Sequence, residues 1–325
     1  MRILVSGAGS IGSRHARNLK TLGVDLVITD PDENRMNALA QEIGAIAFES
    51  LEEALKEKPD AVFVCSPSSL HIQQAKLAVE SGANVFIEKP LSHSLTGVDD
   101  LISLAKAKRV KAFVGCNMRF HHGPSIVKKL IDEGRIGKII GAEVYTGSYL
   151  PDWRPKQDYK QSYSADPFSG GAILDCIHEI DLALWYLGSA EIKNSEIESA
   201  ASIDLPEVDG SADLILQHSS GAVSKVHLSF IEKEYKRFCI IKGESGTIKW
   251  DINSKKVELI GSDSVEVYDE PDGYDMNQMY LEEAKHFLDA IANSAVLSGT
   301  LEEAREALEI AIYAKKEVNL SVARH

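Results

Sequence analysis

Three groups of residues in this 325-residue chain have the types and spacing that chemistry needs. The first is Gly7-Ala8-Gly9-Ser10-Ile11-Gly12, a G-x-G-x-x-G string between a β-rich run and a helical one. In such a turn Gly7 permits the tight bend, Gly9 lets the backbone approach a pyrophosphate, and Gly12 allows close helix packing. The helix start at Ser10 and Ile11 then offers N–H donors to phosphate. Asp30 follows Gly12 by 18 residues, where a carboxylate accepts hydrogen bonds from the adenosine ribose and repels a 2′-phosphate. This favours NAD as cofactor. NADP is the alternative, because Arg14 and Arg35 stand near enough in sequence to reach the same end of the dinucleotide.

The second group lies at the carboxyl ends of two later apolar runs. Cys65-Ser66-Pro67-Ser68 follows one of them, with His71 a turn into the next helix, and Glu88-Lys89-Pro90 ends the other. Ligands of parallel sheets bind at these strand ends. A lysine at the edge of a buried strand is costly unless its charge is used. Lys89 can donate to a hydroxyl or carbonyl oxygen, or lose its proton more readily than a free lysine with a pKa of about 10.4. Pro90 cannot continue the ladder, and a cis bond before it would aim Lys89. His71 reads as a packing or capping residue.

The third group is the run from Gly170 to Trp185, apolar nearly all round yet carrying Asp175, His178, Glu179 and Asp181. Read as one buried helix, it places Asp175, His178 and Glu179 on one arc at about 100° per residue, with Asp181 at the edge. Buried charge is expensive, so such a stripe marks a functional site or an internal ion-pair network. His178 has the intrinsic basicity of a general base for an alcohol, with a carboxylate near to orient it. No metal-ligand spacing such as H-E-x-x-H occurs there, and no metal is expected.

The elements that must position these residues fall into two grammars. Up to about residue 118, short β-rich runs (2–6, 25–30, 45–48, 60–66, 84–88, 111–116) alternate with amphipathic helical runs, which predicts a parallel α/β domain over 1–118. From 119 to 325 a helix at 124–133 leads to an extended run at 139–150. A long aperiodic segment follows, then the apolar helix 172–187, β-rich runs at 212–217, 223–230, 238–242, 247–251 and 256–260, and two closing helices. Turn pairs such as Ser220-Gly221 and Ser245-Gly246 predict an antiparallel meander, hence an α+β domain. The segment from Ser148 to Gly171 supplies Tyr149, Trp153, Arg154 and Tyr159 as candidate substrate contacts. Aromatic faces suit sugar C–H surfaces, and Arg154 or Lys160 would pair with a carboxylate or phosphate. Asn117, Arg119 and His122 are further candidates.

Composition excludes other classes. Lys and Arg total 35 against 49 Asp and Glu, a formal net charge of −14. Without a basic run, such a chain is a poor binder of nucleic acid or anionic membranes. The N-terminal apolar stretch is too short for a signal peptide. The four cysteines form no C-x-x-C pair. A reducing, cytoplasmic setting is expected.

Taken together, Gly7–Gly12, Cys65–His71, Glu88-Lys89-Pro90, 115–120, 170–181 and the late turn 242–247 resemble the glucose-fructose oxidoreductase/inositol dehydrogenase/rhizopine-catabolism (Gfo/Idh/MocA) family, with E-K-P the most specific element. The resemblance implies an N-terminal Rossmann dinucleotide-binding domain and a C-terminal domain on a large open, mainly antiparallel sheet that assembles homodimers or homotetramers. It implies NAD(P)-linked hydride transfer at a secondary alcohol or ketone carbon of a sugar, sugar acid or cyclitol. Gly7, Gly9, Ser10, Ile11, Gly12, Asp30, Arg35, Cys65, Ser66, Pro67, His71, Glu88, Lys89 and Asn117 are then the cofactor side. Lys89, Arg119, Tyr149, Trp153, Arg154, Tyr159, Asp175 and His178 are the substrate side, with Lys89, His178 and Asp175 catalytic. The family's aspartate stands four residues before its histidine, whereas Asp175 stands three before His178, so Glu179 and Asp181 are alternative orienting groups. A dinucleotide-binding sensor without turnover, or an NAD-assisted glycoside-cleaving enzyme, are the alternative functions.

Overall fold

The computed structural model describes residues 1–155, 157–293 and 295–322, with the backbone alone for 317–322. Two compact units divide the chain: Met1–Asn117 with Met276–Arg305, and Met118–Asp275 with the chain from Glu306 onward.

In the first unit, strands β1 (Arg2–Ser6), β2 (Asp25–Thr29), β3 (Ile46–Phe48), β4 (Ala61–Val64), β5 (Asn84–Glu88) and β6 (Ala112–Gly115) alternate with helices α1 (Ser10–Thr21), α2 (Glu33–Ile43), α3 (Leu51–Leu55), α4 (His71–Glu80) and α5 (Val98–Lys108). The strands form one six-stranded parallel sheet in the order β3-β2-β1-β4-β5-β6. Strands such as β4, Ala-Val-Phe-Val, are buried along their whole length, as a sheet covered on both faces requires. Local chemistry fixes the helix ends. The Asp32 side chain accepts the Arg35 N–H at the start of α2, and Gly44 closes that helix in the left-handed region at φ 67°.

In the second unit come α6 (His122–Asp132), β7 (Ile139–Tyr149), α7 (Leu150–Trp153), α8 (Ala172–Asp175) and α9 (His178–Leu187). Seven strands follow: β8 (Ala190–Ala200), β9 (Leu205–His218), β10 (Val223–Ser229), β11 (Ile231–Gly243), β12 (Thr247–Asp251), β13 (Lys256–Ile260) and β14 (Val265–Asp269). They build an eight-stranded sheet, β14-β13-β12-β11-β7-β10-β9-β8, in which only the β7–β10 pairing is parallel. Burial alternates along β9 and β12, so one face carries the core and the other is open. On the core face α6 covers β12 and β13, and α9 covers β7 and β10. The chain closes with α10 (Asn277–Asn293), which belongs to the first unit, and α11 (Leu301–Val322). Phe287 of α10 meets the stacked Phe63 and Phe86 rings edge-on at 5.7 and 5.8 Å, which anchors α10 to the parallel sheet. Among the described residues no helix is long and apolar enough to cross a membrane.

Two expectations are corrected here. The apolar run 172–187 is two helices: Cys176, at φ −95° and ψ 25°, leaves helical geometry, and the ladder restarts with Glu179 N–H donating to Cys176 O. The uniform 100° spacing between Asp175 and His178 therefore does not hold. The meander is interrupted by β7, which pairs in parallel with β10 and separates it from β11. β8 and β14 were not anticipated, because mostly exposed runs such as Ala190–Ala200 lack a strong apolar alternation.

The buried helix α9 is held by an ion pair. Arg119 donates twice to Asp181, at 2.8 and 2.6 Å, with both side chains 3 % exposed. Replacing Arg119 by Met leaves Asp181 buried without its cation and is expected to cost about 3–5 kcal/mol in denaturant unfolding. Adding Asp181→Leu should recover most of that loss.

Candidate active site

In the first unit the candidate cofactor residues converge on the carboxyl edge of the parallel sheet. Gly7 has φ 103°, and a side chain there would meet Cys65 O at 2.7 Å; one on Gly12 would lie 1.8 Å from Gly7 O. These two glycines are required by close backbone approach. Gly9 differs, for a Cβ there meets nothing within 4 Å. Its open side is the space over the start of α1, where the N–H groups of Ser10 and Ile11 precede the first helical bond, Ser13 N–H to Gly9 O. Crowding beneath the turn and room above it fit a pyrophosphate on the helix N-terminus.

Asp30 is 4 % exposed and accepts from the Ala8 N–H at 2.6 Å and the Asp32 N–H at 2.8 Å, tying the glycine turn to the end of β2. Arg35 bonds the same carboxylate at 2.6 Å while its side chain remains half exposed. His71 is a clasp: its ring nitrogens face Pro90 O at 2.9 Å and Ser66 O at 2.8 Å, joining the loop after β4 to the turn after β5. Burial pushes its pKa down against those carbonyl contacts. Ser66 Oγ and Asn117 Oδ1 are buried without hydrogen-bond partners among the described residues, as groups reserved for a ligand are. Pro67 is exposed beside Ser66. Lys89 is half-buried at the end of β5, its own N–H donating to Glu88 Oε2 at 3.1 Å, and the Lys89–Pro90 bond is cis.

In the second unit Thr146, Ser148, Tyr149, Asp152, Trp153, Asp175, Cys176, His178, Lys233, Tyr235 and Arg237 line a cavity of about 320 Å3. Trp153 is pinned by its indole N–H to Ser148 Oγ at 3.2 Å. Tyr163 turns its hydroxyl onto Asp175 Oδ1, and burial followed by that carboxylate pushes the phenol pKa well up, so Tyr163 stays a donor. The start of α8 is fixed by Asp209, which accepts the Ile173 N–H at 2.8 Å and pairs with Lys315. Gly171, at φ 89°, is where Asp209 comes too close for any side chain.

The open choice of orienting acid narrows. Glu179 bonds Arg237 at 2.6 Å and Asp181 bonds Arg119, so both are committed to ion pairs, whereas Asp175 shares the cavity wall with His178. Among the substrate candidates, Tyr149 and Trp153 line the cavity. Tyr159 instead packs on the core around Leu150 and Ile203 and donates to Ile203 O. Arg154 lies over the Tyr163 ring, Lys160 pairs with Asp204, and Arg119 is buried against Asp181. Thr146, Lys233, Tyr235 and Arg237 join the cavity wall without a motif in the sequence to mark them. They stand on β7 and the first half of β11, where Glu232-Lys233-Glu234-Tyr235-Lys236-Arg237 has the look of a charged loop.

Comparison with known proteins agrees with this layout. The family model described as "Oxidoreductase family, NAD-binding Rossmann fold" matches residues 1–116, and "GFO/IDH/MocA C-terminal domain" matches 125–249. The chain is 29 % identical to a myo-inositol 2-dehydrogenase of Thermotoga maritima, over 98 % of this chain and 96 % of the relative. It is 33 % identical to a scyllo-inositol 2-dehydrogenase (NAD(+)) of Bacillus subtilis, over 58 % and 54 % of the two lengths. A levoglucosan dehydrogenase solved with NADH and levoglucosan superposes with a TM-score of 0.87 over 98 % of this chain and 97 % of that one; at 18 % identity this likeness speaks for the fold.

The glycine geometry separates two variants. Gly9→Ala should leave the melting temperature unchanged and weaken NADH about tenfold or more, roughly 1.4 kcal/mol, in a fluorescence titration. Gly12→Ala should lower both stability and affinity.

Proposed function

The chain belongs to the GFO/IDH/MocA oxidoreductase family, with an NAD-binding Rossmann domain at its amino end, and from that premise we propose that it transfers hydride between NAD and a secondary alcohol of a cyclitol or single-ring sugar. The carrying observation is the cavity that holds His178 and Asp175 behind walls of Tyr149, Trp153 and Tyr235. Its volume, near the lower end of the usual range for ligand sites, suits one polyol ring. The hydroxyl and carboxylate lining suits several C–OH groups, and the aromatic walls suit the C–H face. The inositol dehydrogenases among its relatives act on molecules of that kind.

In this reading His178 takes the alcohol proton, Asp175 orients His178, and Lys89 donates to the oxygen as charge develops on it. NAD, held at the glycine turn with Asp30 toward the ribose, supplies the hydride acceptor. NAD is preferred to NADP because the Asp30 carboxylate ties down the turn where a 2′-phosphate would bring further negative charge. A cytoplasmic setting suits the four buried free cysteines.

We further propose that the open sheet face pairs copies of the chain into a homodimer or homotetramer. Register sets Tyr145 beside His227 and Phe238, and the three rings stack at 4.4 and 4.8 Å on that face. Light scattering on the purified protein should give a dimer or tetramer mass, and a Tyr145→Arg variant should move it toward monomer; a monomeric wild type contradicts this.

A scan of myo-inositol, scyllo-inositol and levoglucosan with NAD should show steady NADH formation with at least one. Lys89→Met and His178→Asn should each lower kcat by about 10²–10⁴ while the His178 variant keeps its NADH affinity. Wild-type turnover in either variant removes that residue from the mechanism.

A further inference from the structure

Three ionisable side chains meet in the interior of the first unit, none given a part in the hydride transfer above. His15 comes from α1, Glu88 from the end of β5 and Glu283 from α10. His15 and Glu283 are 0 % exposed and Glu88 is 6 %. His15 Nε2 lies 2.6 Å from Glu88 Oε1 but 4.0 Å from Glu283 Oε1. Neither oxygen of Glu283 has a hydrogen-bond partner among the described residues, and neither has His15 Nδ1.

Proton counting follows from these contacts. A second ring proton on His15 would sit on Nδ1 with nothing to bond, so the contact the ring makes is the one from Nε2 to Glu88 Oε1. Ionising Glu283 as well as Glu88 would place two carboxylates in one sealed pocket, which forces one of them to keep its proton. We propose that Glu283 is a positioning residue carried as the neutral acid. It leaves Glu88 to hold the single negative charge of the cluster, gripping His15 through one oxygen and the Lys89 N–H through the other. The helix that begins at the glycine turn and the strand end that carries Lys89 are thereby fastened to one another.

The groups facing the cluster are consistent with that assignment. Arg14, on α1, lies over the Tyr280 ring at 4.6 Å. Lys89 follows Glu88 on β5, Cys65 stands at the end of β4, and Tyr280 is on α10 with Glu283. Burial, then the negative charge of Glu88, pushes the Cys65 thiol and the Tyr280 phenol up, so neither adds charge. The same two causes, in the same order, raise the Glu283 carboxyl well above its ordinary value.

An acid whose pKa is raised by folding costs stability once the pH exceeds its unfolded value, and the cost grows until the folded pKa is reached. Glutamine at 283 removes it. Glu283→Gln should therefore melt about 4 °C or more above wild type at pH 8, with the gap closing toward pH 5. Glu88→Gln, which removes the working charge, should melt lower. Glu283→Ala should weaken NADH binding and Glu283→Gln restore it, a rescue that mere filling of space by a charged side chain would not give. In the infrared, wild type at pH 7 should show the C=O band of a buried protonated carboxyl that Glu283→Gln lacks. These measurements need no substrate, so a failed dehydrogenase assay leaves them standing. A Glu283→Gln protein less stable than wild type at pH 8 overturns the proposal. So does a stoichiometric divalent metal whose removal by EDTA destabilises wild type alone, and so does a wild-type spectrum without that band, which decides the matter even if the variant does not fold.

Discussion

Carboxylates removed from water must be paired or protonated, and this constraint organises both units. In the second unit Asp181 takes Arg119, Glu179 takes Arg237 and Asp209 takes Lys315. Each pair joins segments distant in sequence, so each fixes a helix that apolar packing alone would leave free to rotate. Helix α9 is buried on nearly every side, and its orientation follows from where its two acids find their cations. With Glu179 and Asp181 so engaged, the wall left to the cavity carries Asp175 and His178. The same constraint acts in the first unit, where Glu88 meets His15 and neither oxygen of Glu283 has a partner among the described residues.

Backbone crowding is the second determinant. Gly7 and Gly12 are needed because Cys65 O and Gly7 O fill the places their side chains would take, whereas Gly9 faces open space. The distinction separates the two glycines that close backbone approach requires from Gly9, which that approach does not constrain. Asp30 then does two things with one carboxylate, holding the Ala8 N–H of the turn and meeting Arg35 at the rim.

Much of this was legible in the residues. The first unit's strand and helix alternation was readable because a parallel sheet covered on both faces buries its inner strands, so β1, β4 and β5 appear as apolar runs. The glycine string, Asp30, Lys89 and His178 stand out in the sequence because each is a residue type that an ordinary strand end or buried helix would not place there. The break at Cys176 was not, since neither glycine nor proline marks it. Arg119 and Tyr159 looked like ligand contacts from their positions, but sequence carries no record that Asp181 and Ile203 O are their partners. Lys233 and Tyr235 were hidden for the converse reason. A strand edge rich in alternating charge has the composition of a loop, and only the pairing of β11 with β7 brings it to the cavity.

Oxidation of a cyclitol or sugar by NAD moves the carbon-bound hydrogen as hydride. The direct measurement is mass spectrometry of the nicotinamide product after turnover with myo-inositol deuterated at its ring carbons. One deuterium should be carried on the reduced nicotinamide for each NADH formed. Reduced cofactor without deuterium, or consumption of deuterated substrates across the cyclitols and single-ring sugars with no label on the cofactor, would contradict it.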